Sequence, residues 1–497
     1  MWLVVRRRSI VVATLIVIIV ASSAVAAYLV LPNAQGCGQA VSSASKYNAE
    51  PVRFGPVTEY CLANPSRWAN GIMVAKDGTV WFGEQALPGL GHLYANGTVV
   101  EYQWPGARST TISSYQTGIW GVIQWDGKIW GADLDGNRLV GLDPTTGTMT
   151  TVNASAVPFP YLPQVAPDGS MWLTSLSTPA RLGRMSTNLA LTSLRVEGLG
   201  KQEPIQMAFV NSTFAYLVAL DPLSGNGTGG LYSFDPQASG GNVVASKVGA
   251  NFALFYPDGV SYSAGAVWVT QHGPSNILRY LPSSGEWTVY PTSTVSYQPS
   301  TFTYFAEVAG QKVWFNEHYS NRIGFLDPSG YLTEYSEANP PITNGSQVQN
   351  DLTIAAAADG LWFTSTSGNY LGFINGTSAP TFSISATGAS NLNFATNSMD
   401  LNPGSSGQIQ VKVSGSWSIP LKVQVSDSEA PNSVPKLIAM TPSTEMVAAA
   451  SGPSTQATFT VSVAVQSNVK PGGYTLAVTV TDGLISQTAY VFLQVGQ

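Results

Sequence analysis

Apolar residues recur through the middle of this chain in short alternating runs, the two-residue period of half-buried strands. The most regular run is a strand before a turn. It reads GHLYANG at 91–97, NRLVGLDP at 137–144, ARLGRMST at 180–187, GGLYSFDP at 229–236, NILRYLP at 276–282, NRIGFLDP at 321–328 and NYLGFING at 369–376. Its aligned apolar residues, Leu93, Leu139, Leu182, Leu231, Leu278, Ile323 and Leu371, stand 43 to 49 residues apart. Upstream of each lies a strand led by an aromatic: Trp81, Trp130, Trp172, Trp268, Trp314 and Trp362, with Tyr216 in the remaining unit. Asp-Gly pairs at 77–78, 126–127, 168–169 and 359–360 precede four of these, a strong hairpin signal. Several units close on a Thr/Tyr-rich strand, as in VVEY (99–102), WTVY (287–290) and LTEY (332–335). Four short antiparallel strands in a unit of this length are the pattern of a propeller blade. The chain is therefore read as all-β, with a seven-bladed β-propeller over 51–376.

The seventh unit lacks an obvious fourth strand. VTEYCLANP (57–65) copies YLTEYSEANPP (331–341), so the N-terminal strand is expected to complete that last blade and remove an exposed sheet edge. From about residue 380 the pattern changes. Only Trp417 remains, and alternating runs such as FSIS (382–385), QIQVKV (408–413), LKVQVS (421–426), ATFTVSVAV (457–465), YTLAVTV (474–480) and AYVFLQV (489–495) are separated by Pro, Gly and Ser. This predicts an immunoglobulin-like sandwich over 380–497. NVKPGGYTLAVTVTDG resembles the late hairpin of sandwich modules on archaeal and bacterial surface proteins, which implies a spacer or adhesion unit.

The N-terminus carries the one long apolar run. Arg6, Arg7 and Arg8 precede an uninterrupted stretch from Ile10 to Leu31, long enough to span a bilayer as a helix. The arginines predict a cytoplasmic segment 1–9, a transmembrane signal-anchor helix over 10–31, a linker over 32–50 and an extracellular remainder. A cleaved signal peptide, with Ala24 and Ala26 forming its small-residue cleavage site, is the competing reading. Cys37 and Cys61 both fall outside the membrane, where a disulfide between them would persist. Six N-x-[ST] sequons, at Asn96, Asn153, Asn211, Asn226, Asn344 and Asn375, are glycosylation candidates in an exported chain. Charged residues make up 10% of the chain, against about 25% in an ordinary soluble protein. With a net charge of -6 and no basic stripe, the composition argues against a nucleic-acid partner.

Over roughly 51–376 the repeats resemble the virginiamycin B lyase (streptogramin lyase) family, whose phrase runs DG-x-x-WFTE, N-x-IGR, G-x-x-x-EY. The best copies are DGTVWFGE (77–84), VWFNEHYSNRIGFLDPSGYLTEY (313–335) and DGLWFTS (359–365). The resemblance implies the propeller and, as an activity, opening of a macrocyclic lactone by elimination with a divalent metal and acid–base residues at the channel mouth. The family's histidines stand just before the first strand of late blades. The corresponding segments here, YQPSTFTYFAEV (297–308) and VQNDLTIAAA (348–357), contain none, and Ser365, Thr366 and Ser367 occupy the place of its metal-binding glutamate.

Local residues supply other candidates. Of the three histidines, His92 sits in a third-strand run and is read as structural, while His272 and His318 each stand four residues after a blade tryptophan. Gln271 and Glu317 adjoin them, and Glu84 and Asp133 hold the equivalent place in the first two units. Glu84, Asp133, Gln271 and Glu317 would ring one mouth, holding a hard cation such as Mg or Ca, or a polar ligand. With His272 and His318 they would also suit a transition metal or an acid–base pair. The two histidines are expected at the far end of the first hairpin from the segments 297–308 and 348–357. Two functions compete. One is a membrane-anchored surface binding or scaffold protein for a glycan, peptide or envelope partner, with a surface-layer role as a variant. The other is a lyase- or lactonase-like enzyme.

Overall fold

The computed structural model describes residues 45–496 apart from 65–67, 86, 105–117, 223–226, 238–240, 251, 294–302, 319, 321, 338–350, 366–367, 377–379, 388–397 and 429–436. The expected membrane segment 10–31, Cys37, Asn226 and Asn344 lie outside these residues. Among the described residues every regular element is a strand, and no helix is long and apolar enough to cross a membrane.

Each repeat unit forms its own antiparallel sheet, and its aromatic residue sits on the second strand. In the unit of Trp81 the strands are Ala69–Val74, Val80–Glu84, Gly89–Leu93 and Thr98–Gln103. In the unit of Trp314 they are Thr303–Ala309, Lys312–Glu317, Arg322–Leu326 and Tyr331–Ser336. The innermost strand of each unit touches those of its neighbours, and that of the last unit, Asp351–Ala356, touches Ala69–Val74 of the first. Together the inner strands line one channel with a volume of about 450 Å³.

The recurring phrase has a packing cause. Phe82, Phe315 and Phe363, one residue after the tryptophan, are buried over Gly91, Gly324 and Gly372 of the third strand. A Cβ on those glycines would lie 1.9, 2.3 and 1.9 Å from a ring carbon, so no other residue fits. Directly opposite each glycine, on the fourth strand, stands the buried glutamate of the T/V-E-Y run: Glu101, Glu334 and Glu59.

The N-terminal strand closes the last unit as expected. Val57–Cys61 pairs antiparallel with Tyr370–Asn375, setting Val57 opposite Ile374 and Cys61 opposite Tyr370. Pro51–Phe54 pairs outside it, while Lys46–Asn48 pairs with Thr98–Gln103 of the first unit, so the segment straddles first and last sheets. Cys61 is disulfide-bonded. The unit of Tyr216 departs from the expected four-strand pattern. Its fourth strand is split into Ser246–Lys247 and Leu254–Phe255, and Asn242–Val244 crosses to pair in parallel with Leu191–Glu197 of the preceding unit.

The C-terminal region is two sheets packed on a shared core that includes Trp417, Ile409, Val461, Leu476 and Val491. All six predicted runs are strands. These sheets do not stand free of the repeat units. Ile485–Val495 pairs with Tyr331–Ser336, joining the Trp314 unit and one C-terminal sheet into a single nine-stranded sheet. Tyr490 donates to the Pro291 carbonyl at 2.7 Å and Gln487 to Thr333 Oγ1 at 2.7 Å, so the junction is sealed by buried hydrogen bonds.

Candidate functional site

In every unit the inner strand runs away from one mouth of the channel, turns, and the second strand returns to that mouth. Thr303 is opposite Glu317, Pro257 opposite Gln271, Ala69 opposite Glu84 and Ile119 opposite Asp133. His272 and His318, next after Gln271 and Glu317, therefore lie at the mouth where the inner strands begin. This corrects the expectation that they stand at the opposite end of the hairpin. The register is antiparallel, so the end of the second strand must meet the start of the first.

Each inner strand carries a bulge just inside this mouth, where the pairing register shifts. The residue opening the bulge is Asn70, Trp120, Tyr161, Ile205, Asp258, Tyr304 or Leu352 in successive units. A bulge re-aims a side chain and frees backbone groups, and the second strand satisfies them. Thr174, Thr270, Asn316 and Thr364 accept the next backbone N–H of their own unit, from Leu162, Gly259, Phe305 and Thr353. Thr174 and Thr270 also donate across to the carbonyls of Ile205 and Tyr304 in the following unit, and Thr353 donates to that of Asn70. These bonds lock the bulges of neighbouring units together.

The side chains so placed are not all satisfied. Both polar atoms of Asn70, the indole N–H of Trp120 and Oδ2 of Asp258 are buried without a hydrogen-bond partner. So are Gln85 Nε2, Gln271 Oε1 and Ser365 Oγ at the returning strand ends. Tyr161 and Tyr304 reach toward one another, with hydroxyl oxygens 3.0 Å apart. The His318 ring lies 4.7 Å from that of Tyr304 and 5.3 Å from that of His272. Burial pushes the Asp258 carboxyl well above the usual carboxylate range and pushes the His272 imidazole down to about 3. Midway down the channel the Glu307 carboxyl, raised by burial to about 7, accepts the Ala356 N–H of the next unit at 2.8 Å.

The predicted acidic ring takes a different form. Asp133 pairs with Arg138 at 2.6 Å, and Glu317 with Arg322 at 3.4 Å, while Arg322 also meets Glu334 at 2.5 Å. Desolvation raises the Asp133 carboxyl, and Arg138 opposes it. These carboxylates brace the second strand against the third and fourth of their own sheets. Glu84 and Gln271 are buried at equivalent positions. Among the described residues no three His, Cys, Asp or Glu side chains converge as a metal site would require. His92 is structural, stacked at 3.8 Å on Trp81 and 3.8 Å from Tyr94. Asn96, Asn153 and Asn211 are exposed, and each accepts a hydrogen bond from the backbone N–H two residues on, while Asn375 is half-buried.

Sequence reasoning passed over the bulge residues. Aligned on the unit aromatic they form a column 10 or 11 residues upstream, with Asn70, Trp120, Tyr161, Asp258 and Tyr304 as its polar and aromatic members. Asp258–Gly259 also reads as a turn dipeptide, yet Gly259 sits inside the bulge, where a Cβ would come within 2.7 Å of the Ala306 nitrogen.

Among solved structures, the fold is similar to a catalytically inactive virginiamycin B lyase from Staphylococcus aureus with quinupristin, at 18% identity, covering 64% of this chain and 98% of that one with a TM-score of 0.50. It is equally similar to a streptogramin B lyase, at 20% identity over 64% of this chain and 97% of that one, TM-score 0.50. These likenesses establish a shared propeller fold. No protein-family model matches the sequence, and no curated protein does.

Proposed function

We propose that the chain is a surface binding module, a seven-bladed propeller held outside the cell by its N-terminal anchor and extended by the immunoglobulin-like sandwich. Its recognition site is the mouth where the inner strands begin. The observation that carries this reading is the gathering of unpartnered buried polar groups there, on Asn70, Gln85, Trp120, Asp258, Gln271 and Ser365. A buried polar group left unpaired costs about 1–3 kcal/mol, and several around one opening favour a ligand that supplies the missing partners. Aromatic faces beside hydrogen-bonding groups suit a glycan or a peptide. The test is to probe glycan and peptide arrays with the full chain and with Trp120→Ala. Ligands captured by the parent and lost in the variant support the reading; capture unchanged in the variant contradicts it.

A second reading, a lyase- or lactonase-like enzyme, is favoured by one observation. His272, His318 and Tyr304 share this mouth with Asp258, which places acid–base groups beside an opening that a ring-shaped substrate would face. Positioned proton transfer contributes about 10²–10⁴-fold. Turnover of a cyclic lactone with added magnesium, abolished in His318→Ala, would establish that reading and displace the first.

A further inference from the structure

The mouth groups are not evenly distributed. Asp258 stands in the bulge column between Ile205 and Tyr304 of the two adjoining units. Thr270 ties the Asp258–Gly259 bulge to the Tyr304 carbonyl of the next unit, bringing the two bulges side by side. The Tyr161 phenol lies within electrostatic reach of the Asp258 carboxyl and meets the Tyr304 hydroxyl at 3.0 Å, and the Trp120 ring lies 5.4 Å from that of Tyr161. Asp258 is 7% exposed, yet Oδ2 accepts no hydrogen bond. An isolated buried charge is costly, so burial favours the protonated form of this carboxyl until a cation stands beside it. His272, kept neutral by its own burial, does not supply the missing charge.

We propose that this corner of the mouth receives a ligand's alkylammonium group, with the Asp258 carboxylate as counter-ion and the faces of Trp120, Tyr161 and Tyr304 around its carbon atoms. A cation beside aromatic faces gains attraction from each ring quadrupole, and the gain is largest where water is excluded. A neutral hydroxyl would satisfy Oδ2 but gain nothing comparable from the rings. The ammonium belongs either to a free amine or to a lysine side chain of a peptide. The inference rests on the mouth being a ligand site and adds the charge of what enters it.

The experiment uses the full chain in detergent micelles and calorimetric titration. Its probes are butylammonium, tetramethylammonium and N-acetyl-lysine amide, with butanol and neopentyl alcohol as neutral counterparts. The ammonium probes should bind about tenfold or more tightly than the neutral ones. Asp258→Asn, nearly isosteric, should erase that preference, so that charged and neutral probes bind alike to a variant that still unfolds in one cooperative transition. Tighter binding of the lysine amide points to a peptide source, and tighter binding of butylammonium to a free amine; either outcome supports the proposal. Equal binding of charged and neutral probes, or a preference that survives in Asp258→Asn, overturns it. If array ligands are nevertheless lost in Trp120→Ala, the binding-module reading stands without this inference. If Trp120→Ala alters no binding of any kind, both fall.

Discussion

At Gly372 the missing side chain is what allows the Phe363 ring to reach the third-strand backbone, since a Cβ there would sit 1.9 Å from the ring. Gly372→Ala should therefore destabilise the fold by about 1–3 kcal/mol in urea unfolding. Much of that cost should vanish in a Phe363→Leu background, because the two residues share one contact; strictly additive losses would contradict this. Glu307 makes a pH-dependent counterpart. Its carboxyl is raised from 4.5 to about 7 by burial, so between those values the folded chain holds a proton that the unfolded chain has released. Stability should accordingly fall as pH rises through that window. Relative to Glu307→Gln, which can still accept the Ala356 N–H, the parent should lose on the order of 1–3 kcal/mol between pH 5 and 8. Parallel pH profiles for the two chains would refute this. The tryptophan and WF–G–E phrases were legible in the sequence because packing repeats them in several units. Asp258 was not, because it occurs once and imitates a turn. His318 stood out by its spacing from Trp314, although the end of the hairpin it occupies did not, and its neighbour Tyr304 carries no motif.

Between neighbouring strands the hydroxyl of Thr270 does two things at once, accepting the Gly259 N–H at 2.8 Å and donating to the Tyr304 carbonyl. Thr270→Val keeps the shape and removes both bonds, so unfolding experiments should show a loss of about 1–3 kcal/mol, while Thr270→Ser should retain most of the stability. Equal stability of the valine and serine variants would show that the bulge is held by packing alone. The strands themselves were readable from their two-residue period, and the duplicated T-E-Y phrase foretold that Val57–Cys61 completes the last unit. The crossing of Asn242–Val244 to the preceding sheet was not readable, since its short run pairs by proximity rather than by pattern. Nor was the bulge. A register shift leaves alternation intact on either side, so nothing in the apolar period marks it.

Across the whole molecule the inner strands form a ring around one channel, while Ile485–Val495 covers the outer edge of the Trp314 unit. An edge left open there would be a site for pairing with other chains, which the C-terminal sheet prevents. This fusion was hidden in the sequence because AYVFLQV shows the same alternation whichever strand it pairs with. The hairpin turns and the strand-start mouth lie at opposite ends of the channel, and the proposed recognition site is the latter. Hydrogen–deuterium exchange of the full chain, with and without a ligand found on the arrays, tests that assignment most directly. Bound ligand should slow exchange around 69–71, 119–121, 258–260 and 303–305. Protection confined to the Asp-Gly turns at 77–78, 126–127, 168–169 and 359–360 would place recognition at the other mouth and contradict the account.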